Sequence, residues 1–103
     1  MDTQLKKGIL EMCILYQIRD DILYGYEIMK SVQQVFPDVY EGSIYAILRR
    51  IHAAGYANVI KRESPSGPPR KYYEITESGK EYLNQMLHEW RNILQGVTSL
   101  GIQ

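Results

Sequence analysis

The sequence predicts a mainly helical α+β fold, in which three helices are followed by a β-hairpin and a long last helix. Apolar residues recur at spacings of three and four in four separate segments, which is the period of an amphipathic helix. Between the third and fourth segments, two short runs with β-branched and aromatic residues flank a cluster of turn formers. At 103 residues the chain has the length of one domain.

Two apolar faces distinguish the first predicted helix, Thr3–Ile18. The first face consists of Leu5, Ile9, Met12 and Tyr16. The second face consists of Leu10, Ile14, Leu15 and Ile18. Because a helix that is apolar on two sides must be covered on two sides, we expect a second chain to pack on one of them.

The second and third helices are predicted close together, with a short turn between them. The second runs over Gly25–Val35 and ends before Pro37, since a residue that precedes proline is disfavoured in helical geometry. The third runs over Ser43–Ala54, and Gly55 stands where a C-terminal cap is expected. Its predicted inward residues are Ile44, Leu48 and Ile51.

A β-hairpin is predicted next, with basic residues on both arms. Its strands are expected over residues 56–62 and 70–75, and the second alternates in polarity. The loop between them, Ser64–Pro69, reads SPSGPP, and we expect these turn formers to interrupt both strands.

The last helix is predicted to begin after Thr76, a good N-cap residue, and to run to about Gln95, with a frayed tail beyond it. A stripe with the spacing of a coiled-coil seam follows one side of this helix: Leu83, Met86, Trp90, Ile93 and Val97. This stripe and the first face of the first helix are the predicted dimer interface. Nine tyrosines and the thin core of so small a domain also favour an oligomer.

Charge is sorted along the chain although the formal net charge is zero. The stretch Ser43–Tyr73 holds six basic residues and one acid, which is +5, and the remainder therefore carries −5. A basic face of this kind is typical of a protein that binds phosphates.

The order of elements is that of a helix-turn-helix followed by a wing. In such proteins the second helix of the pair enters the major groove of DNA, and here that helix is the third. From the residues alone, the predicted DNA contacts are Ser43, Tyr45, Ala46, Arg49 and Arg50 on this helix and Lys61, Arg62, Arg70 and Lys71 on the hairpin. A winged-helix module that binds another protein instead of DNA remains an alternative.

Other classes of function lack the residues they would need. The histidines, His52 and His88, have no Glu or Cys at ligand spacing, so we expect no metal or cofactor, and no catalytic grouping stands out. The single cysteine, Cys13, lies in an apolar segment and is expected to be a core residue. The start of the chain does not resemble a signal peptide and no apolar stretch is long enough to cross a membrane, which predicts a cytoplasmic protein.

Trp90 has two interpretations. It could fill space between two helices, or, with Met86, it could bound a flat pocket for an aromatic ligand near a two-fold axis. Packing is the simpler interpretation, and both stay open.

Three ordered segments are similar to the PadR family of bacterial transcriptional regulators. They are YGYEIMKSV (Tyr24–Val32), GSIYAILRRIHAAGY (Gly42–Tyr56) and GPPRKYYEITESGKEYL (Gly67–Leu83). The resemblance implies a homodimeric winged helix-turn-helix repressor that binds palindromic operator DNA and is released by a small aromatic or drug-like ligand.

Carried onto this chain, the resemblance implies functional roles for individual segments. The recognition helix would be Ser43–Ala54, with Tyr45, Arg49 and Arg50 as contacts, and the wing would contact DNA near Gly67, Arg70, Lys71 and Tyr72. Residues 1–75 would bind DNA and residues 76–103 would form a C-terminal dimerisation helix and tail. Trp90, with Met86, would line a ligand cavity at the dimer centre.

Overall fold

The computed structural model describes residues 3–103, with side chains from residue 6 onward. It contains four helices, as the sequence predicts, and a three-stranded antiparallel sheet, of which the sequence predicts the two hairpin strands. In chain order the elements are α1 (Thr3–Gln17), β1 (Leu23–Tyr24), α2 (Gly25–Val35), α3 (Glu41–Ala53), β2 (Ala57–Ser64), β3 (Gly67–Ile75) and α4 (Glu77–Ser99).

The core lies where α1, α2 and α3 meet the sheet and the start of α4. The second apolar face of α1 points into this core, and Ile14 and Leu15 are completely buried. From α3, Ile44 and Leu48 are also completely buried, because their spacing of four places them on one face. Leu83 of α4 completes the core, so the last helix is anchored to the rest of the chain at its N-terminal end.

The sheet has the strand order β1-β3-β2, which makes β3 the central strand. β1 pairs with β3 through Leu23 opposite Tyr73 and Tyr24 opposite Tyr72. This strand was not predicted from the sequence, because two residues are too few to show a period. It ties the start of α2 to the hairpin.

The hairpin is longer than predicted, and the expectation that Ser64–Pro69 would interrupt both strands was wrong. β2 continues to Ser64 and β3 begins at Gly67, so that only two residues form the turn. Pro68 and Pro69 fall opposite an irregularity in the pairing between Arg62 and Ser64. Proline is tolerated there because it lies at a bulge and because β1 does not extend to this part of β3.

Helix α3 begins earlier than predicted and ends at the predicted glycine cap. α3 begins at Glu41, two residues before the predicted start, so Ser43 lies in its first turn. At its other end Gly55, with a φ of 82°, donates to the His52 carbonyl at 3.0 Å, and Tyr56 donates to the Ile51 carbonyl at 2.9 Å. These are the two hydrogen bonds of a glycine-terminated helix, as the sequence predicts.

α4 begins as predicted and ends later. The Thr76 hydroxyl oxygen accepts a hydrogen bond from the Gly79 N–H at 3.0 Å, so Thr76 is the N-cap. The helix continues through Gly96 to Ser99, and Gly101 follows with a φ of 93°. The expectation of a frayed end from Gly96 onward was therefore wrong.

Candidate nucleic-acid interface

The exposed side of α3 is a stripe of small residues with one arginine. Ile44, Ile47, Leu48 and Ile51 are buried, which leaves Gly42, Ala46, Arg49 and Ala53 on the opposite side of the helix. A Cβ built at Gly42 would meet open space, so the fold does not require glycine there. A narrow, small-residue surface of this kind can approach a partner closely along its whole length.

Arg49 lies beside the sheet, at the edge of a cleft of about 230 Å³ that it shares with Tyr45, Lys71 and Tyr73. Burial raises the pKa of the Tyr73 hydroxyl, and the nearby positive charge of Arg49 opposes that shift. Burial likewise raises the pKa of Tyr45. Arg49 and Lys71 therefore bring two cations together where α3 and the wing meet.

The basic residues of the wing are divided between its two faces. Lys61 lies opposite Lys71, on the face of the sheet that also carries buried Tyr73. Arg62 lies opposite Arg70, on the other face. All four residues fall in one basic stretch of the sequence, and the alternation of side chains along a strand separates the lysines from the arginines.

The arginine face is organised by tyrosines. The Arg62 guanidinium lies 4.5 Å from the centre of the Tyr72 ring, and that of Arg70 lies 5.0 Å from the centre of the Tyr24 ring. The two rings are themselves 5.5 Å apart. Stacking on an aromatic face holds a guanidinium in place while its N–H groups remain available to an acceptor. Tyr72, a predicted DNA contact, is half-buried and supports the Arg62 guanidinium. Gly67, also a predicted DNA contact, is exposed next to the turn.

Two successive pairs of like charge, Lys61 with Lys71 and Arg62 with Arg70, cross the hairpin. Like charges directly opposite each other destabilise a sheet. Within residues 3–103 none of these four side chains takes part in a salt bridge. An anion bound along the wing would offset this repulsion.

Arg50 is separated from the other predicted contacts. Its Nε donates to Glu11 Oε2 at 2.9 Å, and its Nη2 contacts the same oxygen. Glu11 lies on α1 and its side chain is only 8% exposed, and its other oxygen accepts a hydrogen bond from the Tyr82 hydroxyl at 2.5 Å. The structure therefore directs Arg50 toward α1 and α4, away from the stripe that contains Arg49, and the predicted grouping of the two arginines is corrected.

Two lysines that sequence reasoning had not selected lie at the other edge of α3. Lys6, Lys7, Gly42 and Ser43 line a cleft of about 460 Å³ next to the start of α3. Lys6 is paired with Asp38. These lysines lie outside the basic stretch in sequence, so only the packing of α1 against α3 could reveal their position.

The predicted dimer surface is mostly accessible. Trp90, Ile93, Val97 and Tyr16 are between 36% and 58% exposed. Ile9, Met12, Met86 and Trp90, with Gly8 and Ile93, line a groove of about 240 Å³ between α1 and α4. Two predicted interface residues belong to the core of their own chain instead: Met12 is 9% exposed, and Leu83 is completely buried, so the predicted place of Leu83 in the interface was wrong. Leu5 lies outside the residues whose side chains are described.

Other candidate chemistry is limited. Across residues 3–103 no three His, Cys, Asp or Glu side chains are grouped as a metal site would require. The half-buried Cys13 has a thiol pKa raised by burial, which favours the unreactive protonated form. In the same part of the chain, no helix has the length and hydropathy needed to cross a bilayer.

Helices α2 and α3, the hairpin beside them and the long α4 define the class of winged helix-turn-helix regulators. A sequence model of the transcriptional regulator PadR-like family matches residues 14–85. The chain belongs to this family of DNA-binding transcriptional regulators, whose members are not enzymes.

Solved structures agree with this assignment. A PadR-like transcriptional regulator from Bacillus cereus is 38% identical and superimposes with a TM-score of 0.82, covering 95% of this chain and 96% of its own. A Streptococcus transcriptional regulator is 32% identical with a TM-score of 0.85, covering 97% and 99%. An uncharacterized protein of Lysinibacillus sphaericus is 30% identical over 94 residues, which are 88% of this chain and 86% of its own.

Proposed function

We propose that the protein is a homodimeric repressor that binds palindromic operator DNA through α3 and the wing. The observation that carries this proposal is the cleft where α3 meets the sheet, in which Arg49 of the exposed α3 stripe lies near Lys71 of the wing. Phosphate contacts from the wing would give affinity for any sequence, and the side of α3 would select the site. Operator DNA as the target implies that the protein acts in the cytoplasm.

The proposed dimer brings α1 and α4 of two chains together. Beyond Leu87 all residues of α4 are exposed, yet the helix keeps an apolar stripe there. A two-fold axis along this stripe would cover Trp90, Ile93 and Val97 and would present two recognition helices to successive turns of DNA. In this proposal residues 1–75 bind DNA and residues 76–103 form the dimer, although the first turns of α4 are also part of the core.

We also propose that the groove between α1 and α4 admits a small aromatic ligand that releases the repressor. Its walls are Trp90, Met86 and Met12, and a Cβ at Gly8 would meet open space. Methionine side chains adapt to different shapes, and the indole of Trp90 offers a flat stacking surface. Release requires a ligand with different affinities for two arrangements of the dimer.

Footprinting on the DNA upstream of the protein's own gene tests the operator. We expect protection of a two-fold symmetric site, with affinity that falls steeply as salt rises. A protein-binding module would instead show no protected site and no salt-dependent affinity for the fragment.

The ligand is tested separately through fluorescence. Trp90 is the only tryptophan in the sequence, so intrinsic emission reports on the groove directly. A panel of planar aromatic compounds should contain members that quench this emission and also release the footprint. Release without any change in emission would place the ligand elsewhere.

A further inference from the structure

A partly buried polar cluster, in which Glu11 is buried and the Arg50 side chain is 43% exposed, joins the three helices that matter most for the proposed function. Glu11 on α1 accepts hydrogen bonds from Arg50 on α3 and from Tyr82 on α4. The Tyr82 ring in turn stacks on Tyr56, with ring centres 4.3 Å apart and planes inclined by 9°. We call Glu11, Arg50 and Tyr82 the carboxylate junction.

Stability does not explain this cluster well. A buried ion pair can often be replaced by apolar residues of similar volume without loss of stability, because removing two charges from water is costly. Such a pair does constrain geometry. An arginine that donates twice to one carboxylate oxygen fixes the orientation of its own helix relative to the helix that carries the carboxylate. Apolar contacts, in contrast, are not directional.

Because of where the carboxylate junction lies, the helix orientation that it fixes affects both proposed surfaces. α3 carries the proposed recognition surface, and the end of α4 carries the proposed dimer surface. Glu11 contacts both helices at once, and each of its oxygens is engaged by a different one. The angle between α3 and α4 in one protomer determines the distance and twist between the two recognition helices of a dimer.

We propose that Glu11, Arg50 and Tyr82 are positioning residues that set the angle of the recognition helix and thereby the half-site spacing that the dimer accepts. This inference rests on the proposed function. Arg50 then contributes to operator choice without touching DNA. Inserting one base pair between half-sites moves them by about 3.4 Å and rotates them by about 34°, so a rigid dimer should discriminate strongly against it.

The test uses the full-length protein and the operator fragment that the wild type protects. The measured quantity is the ratio of two dissociation constants, for an operator with one inserted base pair and for the native operator. Partial unfolding lowers both affinities equally and leaves this ratio unchanged, so the ratio separates positioning from a simple loss of stability. Glu11→Gln and Tyr82→Phe should each lower the ratio by about threefold or more. The exposed Glu81→Gln on α4 is the matched control and should keep the wild-type ratio.

A triple variant guards against poor folding of the single ones. Glu11→Met, Arg50→Met and Tyr82→Phe together replace the junction with apolar side chains, which should preserve folding while removing direction. We expect it to accept both spacings with similar affinity. A wild-type ratio in the folded triple variant would overturn the inference.

Two further outcomes are distinguishable. If wild-type protein binds no upstream fragment, the proposed function itself fails. If Arg50→Met alone weakens both operators and lowers the salt dependence, while Glu11→Gln changes nothing, then Arg50 contacts phosphate directly and the junction has no positioning role.

Discussion

Replacing Arg49 with alanine should weaken operator binding and reduce its salt dependence. In each protomer five basic side chains lie exposed on α3 and the wing without an acidic partner among residues 3–103: Arg49, Lys61, Arg62, Arg70 and Lys71. A dimer that used all ten would show a slope of log affinity against log salt of about −9. Arg50 is not counted, because Glu11 already neutralises it.

The magnitude follows from the symmetry of the dimer. Arg49→Ala removes two of the ten contacts, so the slope should fall in size to about −7. At fixed salt the loss should be about 1–3 kcal/mol for each contact, and twice that for the dimer. If Arg49 reads a base edge, the loss should also depend on the operator sequence.

Fluorescence anisotropy titrations at five or more salt concentrations measure both quantities. Arg91→Ala is the matched control, because it removes the same charge from an exposed position on α4 outside the proposed DNA interface. Its slope should equal that of the wild type. An unchanged slope for Arg49→Ala, or an equal decrease for both variants, would refute the placement of DNA against this side of α3.

Three other predictions concern the body of the protein. Gly79→Ala should lower the free energy of unfolding in urea by about 1–3 kcal/mol, because its Cβ would lie 2.1 Å from the Tyr56 carbonyl oxygen. Gly96→Ala is the control and should be neutral or stabilising, because its Cβ meets open space. Trp90→Ala should raise the dimer dissociation constant in sedimentation equilibrium by about thirtyfold or abolish the ligand response, and wild-type behaviour in both would exclude either role. The hydrogen bond to Glu11, with burial, raises the pKa of Tyr82 from 10.0 to about 12. Between these pH values the folded state keeps a proton that the unfolded state loses. The free energy of unfolding should therefore fall between pH 10 and 12 more steeply in wild type than in Tyr82→Phe.

Helix positions could be predicted from the sequence because burial imposes a period on it. Ile44, Leu48 and Ile51 are spaced as one helical face, and they are three of the four residues that α3 buries. Thr76 and Gly55 could be recognised because capping depends on the residue itself. Strand β1 could not, because it depends on pairing with Tyr72 and Tyr73, which are distant in sequence. The extension of the hairpin through Pro68 could not either, because it depends on an irregularity in the pairing that the turn-forming residues do not indicate.

The candidate site was predictable in outline and not in detail, for a related reason. A count of charges along the chain locates the basic stretch, but it cannot assign side chains to faces. Lys71 and Arg70 are neighbours in sequence and lie on opposite faces of the wing. Tyr72 is predicted to contact DNA, and the sequence does not show that its ring also lies beneath Arg62.

Arg49 and Arg50 are adjacent in sequence, and packing places their side chains in different parts of the protein. Adjacent residues on a helix point about 100° apart, and this angle is enough to direct one arginine toward the wing and the other toward α1. Glu11 decides the outcome, since a carboxylate with 8% of its side chain exposed needs a cation, and Arg50 is the one that reaches it. The two arginines of one helical turn would then act on DNA in different ways, Arg49 by contact and Arg50 through the orientation of the helix that carries both.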